Sequence, residues 1–389
     1  MYSPYLASTT NFPFGIEVDR AEGTFIYDTK GKRYFDLIAG ISVSNLGHQH
    51  PQIIKEIKKQ IDKHLHVMVF GEYSQRIQNE LAENLTSLLP ENLNCLYVVN
   101  SGTEANEAAL KLAKRATKRT KLVAFKGAYH GSTHGSLSVS ANEDKKAAFR
   151  PLLPDVFHLP FNNLEALDFI DKSVAGIIIE PIQGDAGIRI PSFEFMHKLR
   201  KICDENCILL IFDEIQSGMG RTGKLFAFEH FDIVPDILTI GKAFGGGMPI
   251  GGFVTSQKLM SLFNNHPNLG HITTFGGHPV SCAGALGYLN VLKAENILQN
   301  VELKGKLFEK LLAHCSIVEI RRKGLFFAIE MKNKDIVKRV VEGCKDMGVL
   351  SFWFLSCPES FRIAPPLNIS ESEIRESCSI INKVMDNLT

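Results

Sequence analysis

Five short apolar runs in this 389-residue chain each stop abruptly in a polar, glycine-rich loop. Cys95–Val99 runs into Asn100-Ser101-Gly102-Thr103-Glu104, and Leu122–Phe125 runs into Lys126-Gly127-Ala128-Tyr129-His130-Gly131. Ala175–Ile179 gives way to Glu180-Pro181-Ile182-Gln183-Gly184-Asp185. Cys207–Phe212 ends in Asp213-Glu214, and Ile237–Ile240 ends in Gly241-Lys242 and a glycine tract. Short β-branched runs between turn residues read as buried parallel strands. A doubly wound α/β sheet binds ligands outside the carboxyl ends of its strands. One rim of the sheet therefore receives an acid, a lysine, an aromatic ring and flexible backbone. Any single exit also suits ordinary packing, but five on one rim are hard to explain that way.

The residue types at these exits point to particular chemistry. A lysine leaving a buried strand beside small residues suits Schiff-base chemistry. Partial desolvation lowers its pKa from about 10.4, and the free amine attacks aldehydes. A buried acid opposite, Asp213, suits a pyridinium nitrogen, because pyridoxal phosphate acts as an electron sink while that nitrogen stays protonated. Ser101 with Glu104 fits a capping box, after which Ala105, Ala108, Ala109, Leu112, Ala113 and Ala116 share one helical face. Gly102 at that helix start suits either a phosphate site or an ordinary strand–helix turn. Tyr129 suits stacking on a flat ring or core packing. Arg362, just before Pro365-Pro366, suits a bidentate grip on a carboxylate or a solvated edge position.

Several other functions are excluded. Gly218-Met219-Gly220-Arg221-Thr222-Gly223 matches the spacing of a dinucleotide fingerprint, but Asp213–Ser217 separates it from the strand and no helical pattern follows. Gly241-Lys242-Ala243 lacks the hydroxyl residue of a nucleoside-triphosphate loop. The 43 basic and 42 acidic residues leave a net charge of +1, which gives no electrostatic case for nucleic acid or an anionic membrane. Eight cysteines scattered through apolar stretches read as reduced thiols, and no metal is expected. His48 and His50 are spaced to fix a loop rather than to ligate. The N-terminus lacks a basic start and a long apolar core, and no run is long enough to span a bilayer, so the expected compartment is the cytoplasm.

The hydrophobic content of 44% is enough for a large core and two domains. Near the N-terminus, Gly23–Leu37 alternates around the turn Asp28-Thr29-Lys30-Gly31, a hairpin signal. After Thr273-Thr274, a helix is expected over Val280–Ala294, then mixed helix and strand. No internal repeat stands out.

In combination, SGTEANEAALKLA, the following YHG, EPIQGDAG, FDEIQSGMGRTG, IGKAFGGGMPIG, TTFGGHP and RIAPPL resemble the class III aminotransferases, which use pyridoxal phosphate. The resemblance covers nearly the whole chain. It implies fold type I: a large α/β domain with a mostly parallel sheet over residues 46–280, and a small α+β domain from residues 1–45 and 281–389. It implies Lys242 as the Schiff-base lysine and proton carrier, and Asp213 as partner of the pyridinium nitrogen. Gln216 would reach the cofactor's phenolic oxygen, Tyr129 would stack on the ring, and Gly102 and Thr103 would hold the phosphate. Ser101, His130 and Glu180 complete the cofactor set. Thr274 would reach the phosphate of a neighbouring subunit, which implies a homodimer. Arg362 resembles the family's carboxylate-binding arginine.

Four departures bear on substrate. Where ornithine and acetylornithine enzymes carry an arginine after the histidine of the YHG segment, this chain has Ser132. The acid after Gln183-Gly184 is Asp185 rather than the family's glutamate, one methylene shorter, which leaves a pair with Arg362 open. His278 replaces the usual asparagine, and Ile41 stands at the ornithine enzymes' substrate tyrosine, as in 4-aminobutyrate enzymes. The apolar Ser351–Leu355 suits either the pocket mouth or the core. The resemblance implies transfer of an amino group from an ω-amine or amino acid, acetylornithine- or ornithine-like, to a 2-oxo acid such as 2-oxoglutarate. The alternatives are a 4-aminobutyrate or other ω-amino-acid transaminase, an aminomutase, racemase or decarboxylase on the same scaffold, and a cofactor-binding protein without turnover.

Overall fold

The computed structural model describes residues 5–387. A seven-stranded sheet forms the centre. In chain order its strands are β1 (Cys95–Val99), β2 (Lys121–Phe125), β3 (Val156–Leu159), β4 (Val174–Ile179), β5 (Leu209–Asp213), β6 (Ile237–Ile240) and β7 (Gly251–Thr255). They lie side by side in the order β1-β7-β6-β5-β4-β2-β3. β2 to β6 pair in parallel, and β7 runs antiparallel to both β1 and β6. The sheet is thus mostly parallel, as expected, with one reversed strand near an edge.

β4 reads VAGIII and is buried along its whole length, which fits a strand covered on both faces. Its glycine has a packing reason. A Cβ on Gly176 would lie 2.9 Å from Ala113 Cβ, so the helix Gly102–Thr117 can settle close against the sheet. The buried alanines 105, 108, 109 and 113 form that contact face.

Two four-stranded sheets flank this centre. One contains Val18–Glu22, Phe25–Asp28, Arg33–Asp36 and Val349–Leu350; the other contains Ile317–Lys323, Phe326–Met331, Ser360–Ile363 and Phe352–Trp353. The expected hairpin forms, with Phe25 opposite Phe35. Val349–Leu350 pairs in parallel with Phe35–Asp36, so the two ends of the chain share one sheet. The helix Pro279–Ala294 is buried on nearly every side. His48 Nε2 meets Asp36 Oδ2 at 2.8 Å and His50 Nε2 meets Glu295 Oε1 at 3.3 Å, which is a loop-fixing arrangement.

Two local expectations change. The run Cys207–Phe212 does not begin a strand at Cys207. Cys207 adopts φ of 51° and caps the helix Phe193–Asn206, so the strand starts at Leu209. Ser101 and Glu104 form half of a capping box. Ser101 Oγ accepts from Glu104 N, but the Glu104 carboxylate accepts from Asn100 N at 2.7 Å instead of reaching the Ser101 amide. Among the described residues the cysteines are unpaired, no group of histidines, cysteines and acids is arranged for a metal, and no helix is long and apolar enough to cross a membrane.

Candidate active site

Beyond the ends of the parallel strands lies a cavity of about 290 Å³. Gly102, Thr103, Tyr129, His130, Ser132, Glu180, Asp213, Gln216 and Lys242 all line it, with Gly131 and Ile215. Nine residues singled out from sequence are therefore gathered at one place. Ser101 sits just behind, as the cap of the helix Gly102–Thr117. That helix's first-turn N–H groups have no intrahelical acceptors. Gly102 is needed at this point, because a Cβ there would lie 2.7 Å from Ile215 Cδ1.

Asp213, the last residue of β5, is held by a buried network. Its Oδ2 accepts from Asn106 Nδ2 at 2.8 Å and lies 2.7 Å from His130 Nδ1. Its Oδ1 accepts from Ile215 N at 3.1 Å. Asn106 also donates to the His130 carbonyl, and Thr239 on β6 donates to Asn106 Oδ1 at 2.8 Å. β5 and β6 are paired with Asp213 opposite Thr239, and Lys242 follows three residues later. The register of two neighbouring strands thus sets the acid and the lysine beside one another.

Lys242 has φ of 47°, an unusual conformation for a side-chain-bearing residue. Burial pulls its amine below the ordinary lysine range, while Asp213 and Glu180 pull the other way. Burial is also the main cause that pushes Glu180 up to about 7. Its carboxylate accepts from Tyr129 N and Gly184 N at 3.0 and 2.9 Å.

Asp185 and Arg362 stand apart from these lining residues and form a buried pair. Arg362 donates to Asp185 Oδ1 at 3.3 Å, with its guanidinium 4.4 Å from the Phe354 ring centre. The shorter acid therefore does reach the arginine. Of Ser351–Leu355, Phe354 is core beneath Arg362, Phe352 and Trp353 stack on one another, and Leu355 is exposed. Ile41 and Thr274 are not brought to the cavity. Ile41 lies in a left-handed turn, Ala39–Ser42, with φ of 63°. Thr274 is exposed on a loop beside Phe275.

Sequence reasoning passed over Asn106 and Thr239. A signal existed for Asn106, a polar residue on an otherwise alanine-rich helical face.

A strained lysine and a hydrogen-bonded acid on adjacent strand ends of a mostly parallel sheet define a pyridoxal-phosphate transferase of fold type I. The profile of the class III aminotransferases matches residues 6–385, and the chain belongs to that family. It is 38% identical over 367 residues to the acetylornithine aminotransferase of Methanopyrus kandleri, covering 94% of this chain and 92% of that one. It is 38% identical over 343 residues, 87% of each chain, to a LysW-aminoadipate semialdehyde/glutamate semialdehyde transaminase of Sulfolobus acidocaldarius. The ornithine aminotransferase of Toxoplasma gondii superposes with a TM-score of 0.91 at 28% identity, over 99% of this chain and 93% of that one. The protein is a pyridoxal-phosphate-dependent transaminase that transfers an amino group to a 2-oxo acid.

The residues present fit the cofactor. His130 Nε2 and Gln216 Nε2 are buried and lack protein partners. A helix N-terminus meets the cavity at Gly102 and Thr103, which suits a phosphate. The Asp213 carboxylate suits a protonated ring nitrogen.

Proposed function

We propose that this transaminase takes its amino group from an ω-amine or amino acid of the acetylornithine or ornithine kind and passes it to 2-oxoglutarate. The observation that carries the residue assignments is the delivery of Lys242 and Asp213 by paired strands into one cavity, with Asp213 locked by Asn106 and His130. The donor class follows the relatives named above. Ser132 favours a second reading, a 4-aminobutyrate or other ω-amino-acid donor, because it lines the cavity and supplies no cation for an α-carboxylate.

Lys242 would hold the cofactor covalently, and Gly102, Thr103 and Ser101 its phosphate. Tyr129 would cover the ring, while His130, Gln216 and Glu180 would support it. The bound cofactor supplies an electron-poor ring that withdraws electrons from bonds at the amine-bearing carbon. Asp213, kept in place by its network, would keep the ring nitrogen protonated. Lys242 Nζ, with its proton affinity reduced by burial, would take the proton from the substrate carbon and return it one position away. Arg362 would orient a substrate carboxylate and Asp185 would set how far it is neutralised.

The active form in this reading is a cytoplasmic homodimer, with Thr274 reaching the neighbouring subunit's phosphate. The exposure of Thr274 beside exposed Ile272 and Phe275 supports it. The unpaired thiols suit a reducing compartment. We also propose the division into a large domain, 46–280, and a small one, 1–45 with 281–389, supported by the sheet that joins both chain ends; residues 1–4 and 388–389 lie outside the described residues.

Lys242→Ala is the direct test of the lysine's role. Turnover is expected to fall by about 10⁴-fold or more, with the donor half-reaction lost as well. A variant that still completes multiple turnovers overturns the assignment. A spectroscopic panel of N-acetylornithine, ornithine, 4-aminobutyrate, lysine and glutamate, each added without acceptor, names the donor.

A further inference from the structure

Lys145 is a cation without a hydrogen-bonding partner. It projects from the short helix Glu143–Lys146. Its side chain is 31% exposed, while the Nζ atom itself is covered and has no hydrogen-bond partner. The ammonium lies 5.2 Å from the centre of the Tyr129 ring and 3.8 Å from Asp185 Oδ2. The adjacent Lys146 is a contrast, since its Nζ donates to the Ser138 and Ser140 carbonyls at 3.1 and 2.9 Å.

Asp185 cannot satisfy Lys145 fully, because its carboxylate is already shared. It accepts from Leu355 N, Ser356 Oγ and Arg362 Nη2. Arg362 is itself only 5% exposed, and its Nε is another buried donor without a partner. Two cations with unused donors therefore flank one carboxylate. Such a cluster is costly until acceptor oxygens arrive. The cluster adjoins the cavity, because Lys145 faces Tyr129, which lines it, and Gly184, next to Asp185, packs against Gln216, another lining residue.

Other nearby polar groups do not substitute for this cation. Ser132, 3.3 Å from the Tyr129 hydroxyl, is short and uncharged. Arg150 is committed to Glu143, and Arg189 is exposed and donates to the Ala186 carbonyl.

We propose that Lys145 is a specificity-determining residue that takes one carboxylate of a dicarboxylic 2-oxo acid while Arg362 takes the other. The inference rests on the acceptor reading given above. It predicts a substrate class with two anionic ends, since two donor-rich cations would be wasted on a monocarboxylate.

Calorimetry on the holoenzyme tests it without turnover. Glutarate is the dicarboxylate probe and butyrate the monocarboxylate. Lys145→Met is expected to weaken glutarate about tenfold or more and to shift butyrate by less than about twofold. Lys145→Arg should restore glutarate binding, and Lys145→Gln repeats the loss with the side-chain polarity kept. Equal weakening of both probes, unchanged glutarate binding in the neutral variants, or a parent enzyme that does not prefer glutarate overturns the proposal. A parent enzyme that prefers glutarate through Lys145 yet aminates pyruvate and not 2-oxoglutarate supports the anion site and overturns the acceptor assigned above.

Discussion

The floor of the cavity and its substrate edge are built on opposite terms. On the floor, Asp213 sits at a strand end with both carboxylate oxygens engaged, and the groups that engage it are themselves held: Asn106 by Thr239, and His130 by its amide to Ser140 Oγ at 2.8 Å. At the edge, Arg362 and Lys145 each keep an idle donor, and they meet Asp185 from a strand and a short helix far apart in sequence. A carboxylate with both oxygens engaged holds one geometry for chemistry common to every substrate. Idle donors confer no rigidity, but they create differential affinity between incoming anions.

That contrast is most easily broken at Asp213. Asp213→Asn removes the charge facing the ring nitrogen, and kcat is expected to fall by about 10²–10³-fold with every donor alike. A loss confined to one donor would move Asp213 from the floor to the edge. Arg362→Met is the matching test at the edge. KM for a carboxylate-bearing substrate should rise by about 10–100-fold, with cofactor affinity and its absorbance unchanged. If cofactor binding fell with it, the two regions would not be separable. Asn106→Ala should cost less, about tenfold in kcat, together with about 1–2 kcal/mol of stability from the lost buried hydrogen bonds. Thr239→Val should shift the same quantities in the same direction, because it acts through Asn106.

The floor was far more legible in the sequence than the edge, for a physical reason. Parallel strands are buried on both faces, so their exits coincide with a sharp change from apolar to polar residues, and the floor is made of those exits. Two strands escaped the pattern. Val156–Leu159 lies at the sheet edge and carries His158, and Gly251–Thr255 opens with two glycines. Asn106 was hidden because its alanine neighbours announce packing. Lys145 was hidden because Glu143-Asp144-Lys145-Lys146 reads as a solvated charge run, and its partner Asp185 is forty residues downstream. Pairings set by tertiary approach leave no local period to read. Ile41 shows the converse, a position marked by sequence that folds into a left-handed turn away from this chain's own cavity.

The smallest effect concerns protons rather than turnover. Glu214 follows Asp213 but turns away from the cavity, accepting from Ser217 Oγ, Ala227 N and Phe228 N. Burial is the main cause that pushes it up to about 7, as it does Glu180, from an ordinary value of 4.5. Between those two pH values the folded protein keeps a proton that the unfolded chain releases. The folded state then binds more protons, so stability falls as pH rises through this window and is greatest below it. Each such group contributes a slope approaching about 1.4 kcal/mol per pH unit at mid-window. Glu214→Gln should flatten the decline in chemical-denaturation stability between about pH 5 and pH 7 while leaving kcat for any donor within about twofold. Glu180→Gln should flatten it equally but also disturb the reaction, because Glu180 lines the cavity. An unchanged slope in Glu214→Gln would mean that this buried carboxylate ionises normally. A change in kcat as large as that of Glu180→Gln would extend the catalytic floor beyond Asp213.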